Sequence, residues 1–121
     1  MADFYQGVRR TALQPDEMLV DVAFPALAPN QRGVFVKLGL RRTHAISVVN
    51  ATVVLTLTAD AHVLDARLTL GSVAPTILRV PAAEDALVDA VLDSEQATRA
   101  ADLAAQAASP IDDVRAGAAY R

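Results

Sequence analysis

The stretch "SVVNATVVLTLTADAHVLDARLTL", residues 47–70, carries the clearest strand pattern in the chain. From Ser47 to Thr58, the apolar Val49, Ala51, Val53, Leu55 and Leu57 alternate with Asn50, Thr52, Thr56 and Thr58. A period of two is the mark of a strand with one buried face. Ala59, Asp60 and Ala61 supply a turn. His62 to Leu70 then returns with Leu64, Ala66, Leu68 and Leu70 inward and Asp65, Arg67 and Thr69 outward. The two halves predict an antiparallel hairpin covered on one side only.

Upstream of the hairpin, Gly33 to Leu40 predicts another strand. Val34, Val36, Leu38 and Leu40 share one face, and Phe35, Lys37 and Gly39 share the other. Glu17 to Phe24 predicts a further strand, closed by Pro25. Pro25, Pro29, Asn30 and Gly33 mark the loop between these two. Residues 1–15 show no clean period and read as a linker-like lead-in.

Downstream, Gly71 to Val80 carries Pro75 and reads as a crossing segment or short edge strand. Pro81 suits the first turn of a helix. From Ala83 to Asp93, Leu87, Val88, Val91 and Leu92 lie opposite Asp85, Asp89 and Asp93. Ser94 is placed to cap a second helix running to about Ala107. Ser109, Pro110 and Asp112 resemble a third helix start, with a cap, an N1 proline and an acidic third position. The expected fold class is therefore α+β: a three- to four-stranded antiparallel sheet over 17–80, followed by three helices over 81–121 packed on one face.

The chain has 121 residues, 53% of them hydrophobic and only 4% aromatic, which suits one domain with an aliphatic core. It has no cysteine, which excludes disulfides, thiolate nucleophiles, cysteine zinc sites and an iron–sulfur cluster ligated from within the chain. A net charge of −3 argues against a nucleic-acid binder. No apolar run approaches the roughly 18 residues of a membrane span, and no signal-peptide core is evident, so the expected location is cytoplasmic.

Chemistry-bearing motifs are few. The five glycines, at 7, 33, 39, 71 and 117, never take a phosphate-loop or dinucleotide-binding spacing. His44 and His62 begin separate strands without a carboxylate cluster, and the three aspartates at 85, 89 and 93 read as a solvated helix face. Asn50-Ala51-Thr52 fits the glycosylation triplet but sits inside a strand, so it is set aside. Ten of the eleven basic residues are arginine, leaving Lys37 as the only lysine. It stands beside Phe35 on the face opposite the aliphatic one. Such a cation next to an aromatic suits an anionic or polarisable ring, while the plainer reading is a solvated surface lysine.

Four stretches then carry a resemblance, in order along nearly the whole chain: "TALQPDEMLVDVAFP" (11–25), "FVKLGLRRTHAISVVNATVVL" (35–55), "DARLTLGSVAPTILR" (65–79) and "DDVRAGAAYR" (112–121). Together they resemble the C-terminal domain of the FAD-binding medium subunit of molybdenum hydroxylases, the carbon monoxide and xanthine dehydrogenase family. The resemblance implies an antiparallel sheet followed by a three-helix bundle. It also implies a domain that closes over the flavin while an upstream domain with glycine-rich loops grips FAD. By motif register, Lys37 and Leu19 become flavin neighbours, with Phe35 as an aromatic neighbour in some members. A lysine near the ring's pyrimidine side would favour the negatively charged reduced form.

The implied partners are that FAD-gripping domain, an iron–sulfur small subunit holding [2Fe-2S] clusters and a molybdopterin large subunit. The chain lacks the gripping loops, so on this reading it neither binds FAD tightly nor turns over substrate alone. The alternative, from a different functional class, is a stand-alone interaction domain that dimerises through its open sheet face or free edges.

Overall fold

The computed structural model describes residues 3–121. A two-stranded ribbon comes first, β1 (Tyr5–Gly7) paired with β2 (Arg10–Thr11). The main sheet follows, antiparallel throughout, in the order β3 (Gln31–Gly39), β4 (Ser47–Leu57), β5 (Val63–Gly71) and β6 (Leu78–Arg79). Two helices complete the chain, α1 (Pro81–Leu87) and α2 (Ser94–Ala107).

The hairpin of residues 47–70 forms the centre of the sheet. Val34 lies opposite Val53, and Val53 opposite Leu68, so apolar side chains stack in rows across the inner face. Leu55, Ala66, Leu68 and Leu70 are buried there against Ala83 and Leu87 of α1 and Ala100 and Ala104 of α2. Leu64 departs from the expected inward set: it is exposed, and Val63 is fully buried in its place. The register shifts between Thr56 and Leu57, and this bulge reverses the parity at the start of β5.

The α+β class stands, but the expected three-helix bundle does not form: the described residues contain two helices. The first helix ends at Leu87 rather than Asp93. Val88 turns extended and Asp89 takes a left-handed φ of 63°. The next residues pair with the start of β5 instead: Asp89 N–H donates to the Val63 carbonyl, Val63 N–H to Ala90 and Leu92 N–H to Ala61. Sheet-edge hydrogen bonds replace helical ones, and the β-branched Val88 and Val91 suit that exchange.

The expected third helix is coil held by side chains. Asp112 accepts from the Ala118 N–H at 2.6 Å, and Asp113 accepts from the Arg115 N–H at 2.8 Å. Short polar side chains that satisfy local backbone donors compete directly with a helix, and Gly117 weakens the helical alternative further. The segment proposed as a strand at 17–24 is likewise irregular. Among the described residues, Met18 to Leu27 make no hydrogen bond, so an alternating pattern here lacks the neighbour that would make it a strand.

The second helix ends at Ala107 as expected, but Ser94, the expected cap, is its first helical residue and Asp93 is the N-cap: the Asp93 carboxylate accepts from the Gln96 N–H at 2.8 Å. Replacing it (Asp93→Ala) should cost about 1 kcal/mol, a fall of about 4 °C in a thermal melt. An unchanged melting temperature would show that the cap is dispensable. Glu84, within α1, is nearly fully buried at 3% exposure. It accepts from the Leu68 N–H at 2.8 Å and from Arg79 at 2.7 to 3.0 Å, joining α1, β5 and β6. Those bonds, Arg79's first, hold its carboxyl below the ordinary 4.5 against the opposing effect of burial.

Candidate functional site

The helices cover only part of the sheet. α1 packs on β5 and α2 on α1, while β3 stands outside the helical layer. Val34, Val36 and Leu38, on the inner face by parity, are therefore 56%, 61% and 44% exposed. An apolar groove of about 400 Å³ lies between α2 and the inner face of β4, lined by residues such as Val49, Ala51, Ala97 and Ala101.

The outer face is open and carries the sequence's candidates. Phe35 is 60% exposed, opposite Thr52, and Lys37 is exposed, opposite Asn50. The Lys37 ammonium donates to the Ala45 carbonyl at 2.7 Å. That carbonyl is presented because the 40–46 loop folds back onto β3 at Gly39, where an added Cβ would come within 2.8 Å of the Ala45 methyl. Arg41 tightens the same loop by donating to the His44 carbonyl at 2.8 Å, and His44 takes a left-handed φ of 49°. Gly39→Ala should therefore push the loop outward and free Lys37 from Ala45. The expected readout is faster amide exchange at Ala45 and Ile46, and unchanged exchange would show that the loop's path does not depend on Gly39.

Among the described residues, Lys37, Arg41 and Arg42 make no salt bridge. The two other cations on the outer face of the main sheet are paired, Arg67 with Asp65 at 2.7 Å and Arg79 with Glu84 at 2.7 Å. Lys37 is the cation that this face leaves without an acidic partner among the described residues, and it favours an anion or a ring that gains negative charge.

Leu19 lies apart in local structure. It is half-exposed in the irregular segment, and among the described residues no hydrogen bond or strand pairing ties residues 18–27 to β3. The side chain of Leu27 sits over Gly33, its Cδ1 3.0 Å from where a Cβ would stand. The structure thus brings Phe35 and Lys37 together on one strand face and leaves Leu19 on its own segment. His44 lies in the loop and His62 at the start of β5. Sequence reasoning missed the Ala45 carbonyl, which has no sequence signal. It also missed Asn50 and Gly71, adjacent across β4 and β5, which cross-strand parity could have placed beside Lys37.

Residues 35–121 match the CO dehydrogenase flavoprotein C-terminal domain family. The chain is 36% identical over 121 residues to the nicotine 6-hydroxylase medium subunit of Paenarthrobacter nicotinovorans, covering 98% of this chain and 41% of that protein. It superposes with a TM-score of 0.87 and 33% identity on a chain of the carbon monoxide dehydrogenase of Hydrogenophaga pseudoflava, in a form lacking the Mo-pyranopterin moiety of the molybdenum cofactor. That match covers 98% of this chain and 41% of the other. The quinoline 2-oxidoreductase of Pseudomonas putida 86 matches with a TM-score of 0.84 and 30% identity, over 98% of this chain and 40% of that one. The chain belongs to the CO dehydrogenase flavoprotein C-terminal domain family, the domain expected from its four sequence stretches. It spans 40–41% of the length of these three relatives.

Proposed function

We infer that this chain is the flavin-covering and assembly domain of the FAD-binding subunit of a molybdenum hydroxylase. The observation that carries the reading is Lys37, an unpaired cation on the open sheet face beside Phe35, its ammonium fixed on the Ala45 carbonyl. The residues present fit a flavin ring. The outer face combines an exposed aromatic side chain and a cation, a surface against which a planar ring can rest.

On this reading the whole described chain is one domain, with residues 1–15 as the lead-in from an upstream FAD-gripping domain. Lys37 and Phe35, with Leu19 from the irregular segment, are the residues that would hold the ring, Lys37 supplying charge and Phe35 and Leu19 apolar contact. FAD, when bound, supplies the relay of electrons from the molybdenum and iron–sulfur centres to an acceptor. The contribution of this chain is to position that ring, exclude water from one side and place positive charge where reduction adds negative charge. Its partners are the small iron–sulfur and large molybdopterin subunits, and its setting is the cytoplasm.

Lys37→Ala in the intact FAD-binding subunit should weaken reduced flavin about tenfold more than oxidised flavin, a fall of about 30 mV in the two-electron potential. Folding stability should stay nearly unchanged, because the lysine is exposed. An unaltered potential would remove Lys37 from the site.

A second reading, a self-associating interaction domain, is favoured by the bare inner half of the sheet at Val34, Val36 and Leu38. Sedimentation of this chain separates the two: a stable dimer that buries these side chains supports the second reading.

A further inference from the structure

Asn50 keeps the polar, outward parity of β4 but is an unusual residue type for its place. Asparagine is depleted in strands, yet this one lies within β4, with β3 on one side and β5 on the other. Among the described residues its side chain makes no hydrogen bond, and none of their buried side-chain polar atoms lacks a partner, so the carboxamide reaches solvent. The amide lies over Gly71, its cross-strand neighbour on β5. A Cβ on Gly71 would come within 2.7 Å of Nδ2 and 2.9 Å of Cγ. The missing side chain at 71 therefore makes room for the amide at 50. On its other side Asn50 is directly opposite Lys37, both on the outer face, where facing Cβ atoms lie roughly 5 Å apart.

We propose that Asn50 is a second flavin-contacting residue, its carboxamide hydrogen-bonding the donor-and-acceptor edge of the ring beside the charge that Lys37 supplies. The inference rests on the flavin-covering reading. A carboxamide offers a donor and an acceptor in one plane, which matches a ring edge where N–H and C=O groups alternate. Lys37 provides charge without such directional pairing, so the two side chains divide the work: one sets electrostatics, the other registers the ring. Gly71 fixes the amide's position from beneath.

The test uses the intact FAD-binding subunit with three substitutions: Asn50→Leu, Gly71→Ala and Lys37→Ala. Asn50→Leu keeps the volume and loses the polar pair, so FAD dissociation should become about tenfold more favourable, or about 1.4 kcal/mol, with the melting temperature unchanged. Gly71→Ala keeps Asn50 but displaces its amide and should weaken FAD in the same direction. If Lys37→Ala alters flavin potential or affinity while the other two leave the FAD dissociation constant within twofold, the role of Asn50 is overturned and the flavin-covering reading stands. If all three are silent, the flavin-covering reading itself fails. Should Asn50→Leu not fold, Asn50→Asp carries the test. A carboxylate in the same position should lower the two-electron potential by about 30 mV, a tenfold change. An unchanged potential overturns the proposal.

Discussion

Glu84→Ala should lower stability by about 3 kcal/mol, equivalent to a fall of roughly 10 °C in melting temperature for a chain of this size. The loss has an identifiable origin. The Leu68 N–H, inside the sheet, would keep no acceptor, and an orphaned buried donor costs about 1–3 kcal/mol. The guanidinium of Arg79 would also lose its two-point contact, a smaller effect because that side chain is half-exposed and screened by water. Glu84→Gln retains an acceptor for Leu68 and should cost much less. Equal melting temperatures for the wild type and Glu84→Ala would show that the clasp between α1, β5 and β6 contributes nothing.

The same groups set the acid limit of the fold. Glu84 and Asp113 both have folded values depressed below the ordinary 4.5 and 3.8, by hydrogen bonds from Arg79 and from Arg115 respectively. A depressed carboxyl contributes stability above its unfolded value and loses it as pH falls toward the folded one. Melting temperature should therefore hold steady above about pH 5 and decline below pH 4.5. Glu84→Gln should flatten the upper part of that decline.

Arg121→Ala should produce the second large effect, a loss of about 2 kcal/mol concentrated in residues 109–121. The Arg121 side chain is 1% exposed. It donates to the Val48 carbonyl at 3.0 Å, the Ile111 carbonyl at 3.0 Å and the Asp113 carboxylate at 3.0 Å. One guanidinium thus ties the coil after α2 to the start of β4. Hydrogen exchange should rise in 109–121 and stay unchanged in β4 and β5 away from Val48. Uniform exchange across the chain would mean that Arg121 supports the whole fold rather than this segment.

The central hairpin was legible because one-sided burial imposes a period of two over eleven residues, Ser47 to Leu57. The placement of Phe35 and Lys37 on one face followed from the same rule. What sequence periodicity could not show was competition between structures. Val88 to Leu92 has helical spacing, but it finds better hydrogen bonds at the edge of β5. Ser109 to Asp112 carries helix-start signals, yet Asp112 and Asp113 spend their carboxylates on local turns. Leu64 was misplaced because a single bulge inverts every side chain beyond it. At the site, the neighbours of Lys37 come from a loop carbonyl and from facing strands, so their identity depends on register, which the turn and the bulges set.

The most direct test of the flavin-covering account is chemical protection of Lys37, the only lysine in this chain. The intact FAD-binding subunit, with FAD bound and after its removal, would be exposed to an amine-reactive reagent, and modification of the Lys37 peptide followed by mass spectrometry. Bound FAD should slow modification at Lys37 at least tenfold while lysines distant from the flavin react alike. Equal rates at Lys37 in the two states would contradict a flavin-covering role.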